Sequence, residues 1–294
     1  MKRREFIKDL TLGSFLLSSS SGFLFSQKTP DLALIQGESP TQITKEAISA
    51  LGGIQKFVSK GDQVLVKPNI GWDRRPEQAA CTNPKVVQAI VELCLEGGAK
   101  KVKVMDHSIN PAQRTYVRSG IKEAAKKAGA QVPYPNKHRL RKTAIHGAQL
   151  NEWEVYTDFL QADKLINVPI AKTHSLTRLT LGMKNWLGAI GGNRNLLHQN
   201  INQAMIDLSE FFKPALTVLD AYRILIRNGP QGGRLSDTKL HKTVVAGVDY
   251  VAVDAMGATF FNIEPSQLPF LQMAHKKGLG EIRLNRLNIE KRKV

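Results

Sequence analysis

Short apolar runs alternate with helical periodicities along this chain, and the alternation predicts its elements in order. Residues 31–35 read as a strand, followed by a helix over 40–51 in which Ile43, Ala47, Ile48 and Leu51 recur on one face. Gly52-Gly53 closes that helix. A second strand over 63–67 stops at Pro68-Asn69 and opens into an aperiodic loop over 70–80. A helix then starts at Pro84 with Thr82 or Asn83 as its N-cap, and Val86, Ile90, Leu93 and Cys94 mark its buried face. A strand over 101–105, a helix over 112–128 and a short strand near Gln131 follow.

The second half continues the rhythm. A strand over 163–168 leads to helices over 180–190 and 201–212, the first broken by Gly191-Gly192-Asn193-Arg194. A strand over 215–219 is expected to finish at Asp220, and another is expected over 243–246. Helices over 249–261 and 265–277 precede a basic tail that reads as peripheral. Strand–helix–strand repetition implies right-handed crossovers and parallel pairing. The expected class is therefore α/β, a mainly parallel open sheet with helices on both faces in Rossmann-like layering. One domain over 28–294 is expected, with a basic, irregular excursion at about 133–160.

The stretch from Asn167 to Gly188 concentrates the candidate chemistry. An apolar run halts at Pro169, and Lys172, His174, Arg178, Thr180, Lys184 and Asn185 follow within a few turns of chain. It reads as a strand end, a polar turn and an incoming helix, the place where open α/β sheets bind ligands. Other strands end in polar residues too: Lys67 and Asn69, Asp106 and His107, and Asp220. If these ends converge, they form one site. Lys67, Asn69, Thr82, Lys172, Lys184 and Asn185 are the expected ligand-binding residues, and Asp106, His174 and Asp220 the expected acid–base or catalytic groups. Lys184 is informative because it sits in an otherwise apolar segment, and a buried lysine needs an anionic partner. A divalent metal on His174, Asp106 or His198 stays open beside a purely cationic site. Asp249 reads as an N-cap and Asp207 as an ordinary helix carboxylate. No nucleotide-binding or hydrolase fingerprint accompanies these residues.

Charge strengthens the expectation of an anionic ligand. The 294 residues carry 42 Lys+Arg against 25 Asp+Glu, a formal net charge of +17. Such a balance favours anionic partners. The basic residues are spread along the chain without a nucleic-acid-binding motif, so nucleic acid is not an expected partner. The hydrophobic share of 42% is enough for a substantial core.

The N-terminus reads as an address. Arg3-Arg4-Glu5-Phe6-Ile7-Lys8 followed by the moderately apolar run 10–25 resembles a twin-arginine export signal over 1–27. It implies recognition by export machinery and a periplasmic or extracytoplasmic location. The run is short for a bilayer span and contains Ser18–Ser21, so no permanent span is expected. Cys81 and Cys94 lie too far apart along a helix for a disulfide, and their spacing matches no iron–sulfur ligand pattern.

These residues carry a resemblance. The Lys67-Pro68-Asn69 block, Thr82-Asn83-Pro84, Asn167-Val-Pro169, Lys172-Thr-His174, Thr180 to Asn185 with Gly188, Asp220, and Val248-Asp249 with Asp254 are similar to the DUF362 family of bacterial and archaeal proteins. The likeness spans about residues 30 to 280 and supports the same site. Many members of that family append an iron–sulfur module. This chain lacks the cysteines for one, so no iron–sulfur cluster is expected and the resemblance implies no electron-transfer role. The expected function is an exported protein with a cationic pocket for a small phosphate- or carboxylate-bearing ligand, either a metal-assisted enzyme or a non-catalytic binding protein.

Overall fold

The computed structural model describes residues 29–294, so the export-signal reading of 1–27 lies outside the described residues. Strands β1 (Leu32–Gln36), β2 (Gln63–Pro68), β3 (Lys101–Val104), β6 (Lys164–Val168), β9 (Leu216–Leu225), β10 (Thr238–Gly247) and β11 (Ile289–Lys293) build the main path of a nine-stranded sheet in the order β11-β1-β10-β9-β6-β2-β3. Strands β7 (Ile170–His174) and β8 (Arg178–Thr180) extend it from β9. The β9–β6–β2–β3 half pairs in parallel, as does β11 with β1, while β10 runs antiparallel to both neighbours. The sheet is mainly parallel, as the strand–helix alternation implies.

Alternation along the strands sorts the core into two layers. Val64 and Val66 of β2, Ile166 and Val168 of β6, and Val244 and Ala246 of β10 share one apolar cluster with helices α1 (Pro40–Ala50), α2 (Pro84–Glu96), α3 (Ala112–Arg118) and α4 (Ile121–Lys127). Leu65, Leu219 and Val245 face the other cluster, with α6 (Gly182–Asn185), α7 (Ile201–Phe212), α8 (Tyr250–Thr259) and α9 (Pro269–Lys276). A sheet covered on both faces buries both sets of alternate side chains. Helix α8 is buried from Tyr250 to Ala258, which accounts for its lack of an amphipathic stripe. Asp249 caps it by accepting the N–H of Ala252, as its position before the helix suggests.

Several expectations are corrected. The helix expected over 112–128 is two, because Gly120 adopts a left-handed φ of 72° that ends the first and starts the second. The excursion over 133–160 contains an ordered antiparallel hairpin, β4 (Leu140–Ala144) with β5 (Glu152–Tyr156), followed by the single turn α5 (Thr157–Leu160). The charged, largely exposed β4 lacks the apolar alternation that would announce it, whereas β5 alternates Glu152, Trp153, Glu154 and Val155. Asp207 is no ordinary helix carboxylate: it is buried on α7 and accepts the N–H groups of Ala148, Gln149 and Leu150, pinning the hairpin loop. The basic tail adds β11 as an edge strand. Among the described residues no helix is long and apolar enough to cross a membrane.

The opening of the 167–188 stretch also differs. Pro169 is followed by the β7–β8 hairpin, and the expected helix over 180–190 is the single α-turn α6 with a 3-10 continuation over Trp186–Ala189. Trp186 locks that continuation by stacking on Phe212 of α7, with ring centroids 4.7 Å apart. β9 runs past Asp220 to Leu225, so Asp220 lies inside a strand.

Candidate functional site

The carboxyl ends of β2, β3 and β6 meet, as parallel pairing requires. Register sets Lys67 beside Asn167 and Val66 beside Val104, two residues before Asp106. Lys67 is fully buried, and its Nζ donates to Asp106 Oδ1 at 2.6 Å, to the Pro68 carbonyl at 2.9 Å and to Asn185 Oδ1 at 3.0 Å. All three ammonium protons are used. Asp106 is equally committed, since its Oδ2 accepts the N–H of Ile70 at 2.6 Å. Burial lowers the pKa of Lys67 and the Asp106 carboxylate opposes that drop. Gly188 closes over the pair: a Cβ there would stand 1.8 Å from Asp106 Oδ1, so only glycine permits the approach.

An amide relay extends this floor. Asn185 Oδ1 accepts from Lys67 and Asn69, while its Nδ2 donates to the Lys67 carbonyl and to Asn167 Oδ1. Asn167 donates in turn to the Gly182 carbonyl. Asp254 of α8 accepts the N–H groups of Gly182 and Met183 at 2.6 and 2.9 Å, fixing the turn that carries Lys184 and Asn185. Burial pushes the Asp254 carboxyl up to about 7 against those two donors. Buried networks with every member satisfied specify one arrangement.

Above the floor lies a cavity of about 440 Å³ lined by Lys67, Asn69, Trp72, Asp106, His107, Lys172, His174, Lys184, Asn185, Arg194 and His198, among others. Lys172 is 1% exposed and donates to Asn69 Oδ1 and the Ala80 carbonyl, leaving one proton unassigned. Lys184 is 6% exposed, and its Nζ has no hydrogen-bond or ion-pair partner among the described residues. Burial holds both lysines at about 8, and in Lys184 the charge of Lys172 adds to the effect. The Arg194 guanidinium donates to the carbonyls of His107, Leu187 and Ser108. It meets no carboxylate in those contacts. Thr180 lines the same cavity, and its buried hydroxyl lacks a hydrogen-bond partner among the described residues.

Two histidines present opposite polarity. His107 Nδ1 faces the Ile190 carbonyl at 2.8 Å, so that nitrogen carries the proton and Nε2 is the acceptor. His174 Nδ1 accepts the Leu176 N–H at 3.1 Å, which leaves its proton on Nε2 when neutral. Burial, then Lys184, Lys172 and His198, hold His174 down at about 3, so it stays uncharged near neutrality.

The candidate residues thus separate by role. Lys172, His174, Lys184 and His198 line the cavity with capacity for a ligand, whereas Lys67, Asp106 and Asn185 line it with their hydrogen bonds already made. Asn69 lines it as well, retaining one amide proton while binding Lys172 and Asn185. Thr82 lies behind the wall, accepting the Asn69 N–H and donating to the Val168 carbonyl. Asp220 is outside the cavity lining: it accepts the N–H groups of Asn83 and Tyr222, and burial pushes its carboxyl up to about 6. The start of α2 therefore meets a carboxylate of the chain itself. His174, Asp106 and His198 assemble no metal cage, for among the described residues no three His, Cys, Asp or Glu side chains could hold a metal ion. Sequence reasoning missed Arg194 and the polarity of His107. Arg194 sits directly after the Gly191–Asn193 break, and that junction was the available signal.

Comparison with known proteins places the chain in a family. A thylakoid-associated protein of Synechocystis sp. is 24% identical over 241 residues, covering 79% of this chain and 73% of its own. The lactate racemase apoprotein of Thermoanaerobacterium thermosaccharolyticum aligns with a TM-score of 0.49 at 14% identity, over 78% of this chain and 56% of the racemase chain. Residues 64–259, which hold the floor and every residue that lines the cavity, match the model of the domain of unknown function DUF362, and the chain belongs to that family.

Proposed function

We propose that the chain binds a small anion bearing a carboxylate or phosphate in the cavity above Lys67 and Asn185. One observation carries the reading: Lys172, Lys184 and Arg194 line a single cavity whose one lining carboxylate, Asp106, already holds Lys67 and the Ile70 N–H. Buried cations without counter-charge call for one from a ligand. The charge of the ligand rests on lysine and arginine rather than on a metal, because both oxygens of Asp106 are taken. His107 offers the ligand an acceptor and His174 a donor.

The same proposal places the protein beyond the cytoplasmic membrane. The support is the paired-arginine pattern of residues 3–8, together with a relative named for its association with thylakoids. Calorimetric titration of sulfate and phosphate into the purified chain tests the pocket: saturable binding that Lys172→Ala and Lys184→Ala each weaken by about tenfold or more is expected. Unchanged binding in both variants defeats the reading. Cell fractionation of an Arg3→Lys/Arg4→Lys variant tests export, with retention in the cytoplasm expected.

A further inference from the structure

We propose that Lys184 is a covalent site, whose amine condenses with the carbonyl of a small oxo acid to give an imine while Lys172 and Arg194 hold the carboxylate. This rests on the anion reading above and adds a bond to it. Lys184 stands apart from the other two lysines of the cavity. Lys67 has all three protons engaged and Lys172 has two, whereas Lys184 Nζ lines the cavity with no partner among the described residues. Only 6% of the residue is exposed, so water gives it little compensation. An amine left without an acceptor, in a desolvated wall and beside a second cation, keeps its lone pair available for a carbon electrophile.

The backbone beneath it is fixed. Asp254 grips the first two N–H groups of α6, and Asn185, the next residue, is bonded on both faces of its amide. A nucleophile on so constrained a turn returns to one position. With Lys184 held at about 8, roughly a quarter of it is free amine at pH 7.5, on the order of 100-fold more than an ordinary lysine. At the cavity mouth Ile109 and Leu176 are each 58% exposed and suit a short apolar substituent.

The step balances without a further reactant. The ammonium proton of Lys184 passes to an imidazole, for which His107 Nε2 is the acceptor on this wall. The amine lone pair attacks the carbonyl carbon and the π pair moves to oxygen, which takes a proton from the nitrogen. The imidazolium then protonates the hydroxyl, water leaves, and the C=N bond forms. The net change is ammonium plus carbonyl to iminium plus water, with no change of oxidation state.

The test is reductive trapping. The full chain is incubated at pH 7.5 with pyruvate or glyoxylate and cyanoborohydride, then digested and mapped by mass spectrometry. A secondary amine on Lys184 is expected at least tenfold faster than on any surface lysine. It should be absent in Lys184→Arg, which keeps the cation and cannot form the imine. Propionate, a carboxylate without a carbonyl, should slow the labelling. Labelling spread over exposed lysines, or modification at the same total rate in Lys184→Arg, overturns the covalent site. Thermal stabilisation by propionate or sulfate without trapping at Lys184 also overturns it and leaves the anion reading standing. Neither stabilisation nor trapping overturns both.

Discussion

Replacing Lys184 with methionine separates what the lysine does for the fold from what it does for a ligand. Burial and Lys172 hold the group at about 8, against an ordinary value of 10.5. Keeping it protonated in the folded chain at pH 7 therefore costs about 3 kcal/mol, at 1.36 kcal/mol per pKa unit. The sign follows from proton counting. Between about 8 and 10.5 the unfolded chain binds more protons at this position, so stability rises with pH across that window. Below 8 the cost is present in full. Methionine conserves the length of the side chain and removes the charge. Lys184→Met should thus be more stable than the parent by about 2–3 kcal/mol at pH 7 and low salt, a rise in Tm of roughly 5–10 °C for a domain of this size. The gap should shrink below about 1 kcal/mol at pH 10.5. Urea unfolding of both proteins at the two pH values measures it, and differencing them removes the other titrating groups common to both. A variant less stable than the parent at pH 7, or a gap independent of pH, would refute the claim that Lys184 is a charge without a counter-charge.

Four further outcomes are expected. Sulfate affinity, measured calorimetrically, should fall by at least about tenfold between pH 7 and 9.5, since Lys172 and Lys184 both lose their protons near 8. Asp106→Asn should lower unfolding stability by about 3–5 kcal/mol, because it leaves Lys67 buried without its carboxylate. Gly188→Ala places a methyl 1.8 Å from Asp106 Oδ1 and should cost at least about 2 kcal/mol in thermal or urea denaturation. Asp254, pushed up to about 7 from 3.8, favours the folded state most below about pH 4, and that advantage is lost as pH rises through 7. The stability of the parent relative to Asp254→Asn should accordingly decline across that window, and a flat difference would show that the carboxyl is ionised throughout.

Part of this was legible in the sequence. Apolar runs ending in Lys67-Pro68-Asn69 and at Asn167-Val168-Pro169 located the sheet edge, because parallel strands must bring such ends together. The division of labour within the edge was not legible. Lys67 and Lys172 look alike as polar residues at strand ends, yet Lys67 on β2 meets Asp106, Asn185 and the Pro68 carbonyl, whereas Lys172 on β7 meets only Asn69 and the Ala80 carbonyl and keeps one proton. Asp220 reads as a strand end because a polar residue stops the apolar run over 215–219, but pairing with β10 carries β9 on to Leu225. The β4–β5 hairpin is half legible: β5 alternates and buries Val155 and Tyr156, but β4 has no such pattern and depends on contacts from elsewhere, with Asp207 holding the loop and Asp158 joining Arg139 at the base to Lys103 of β3.

The closed hydrogen-bond account of the floor has a consequence for how relatives can diverge. Lys67, Asn69, Asp106, Asn167 and Asn185 each satisfy at least one other member, so altering any one strands a neighbour. Such a set tolerates change only by coordinated replacement, which single substitutions reach through an unstable intermediate. Selectivity for different ligands would then be expected to drift in the segments that overhang the floor, at Ser175, Leu176, Asn195 and His198, whose side chains line the cavity without a hydrogen-bond partner among the described residues.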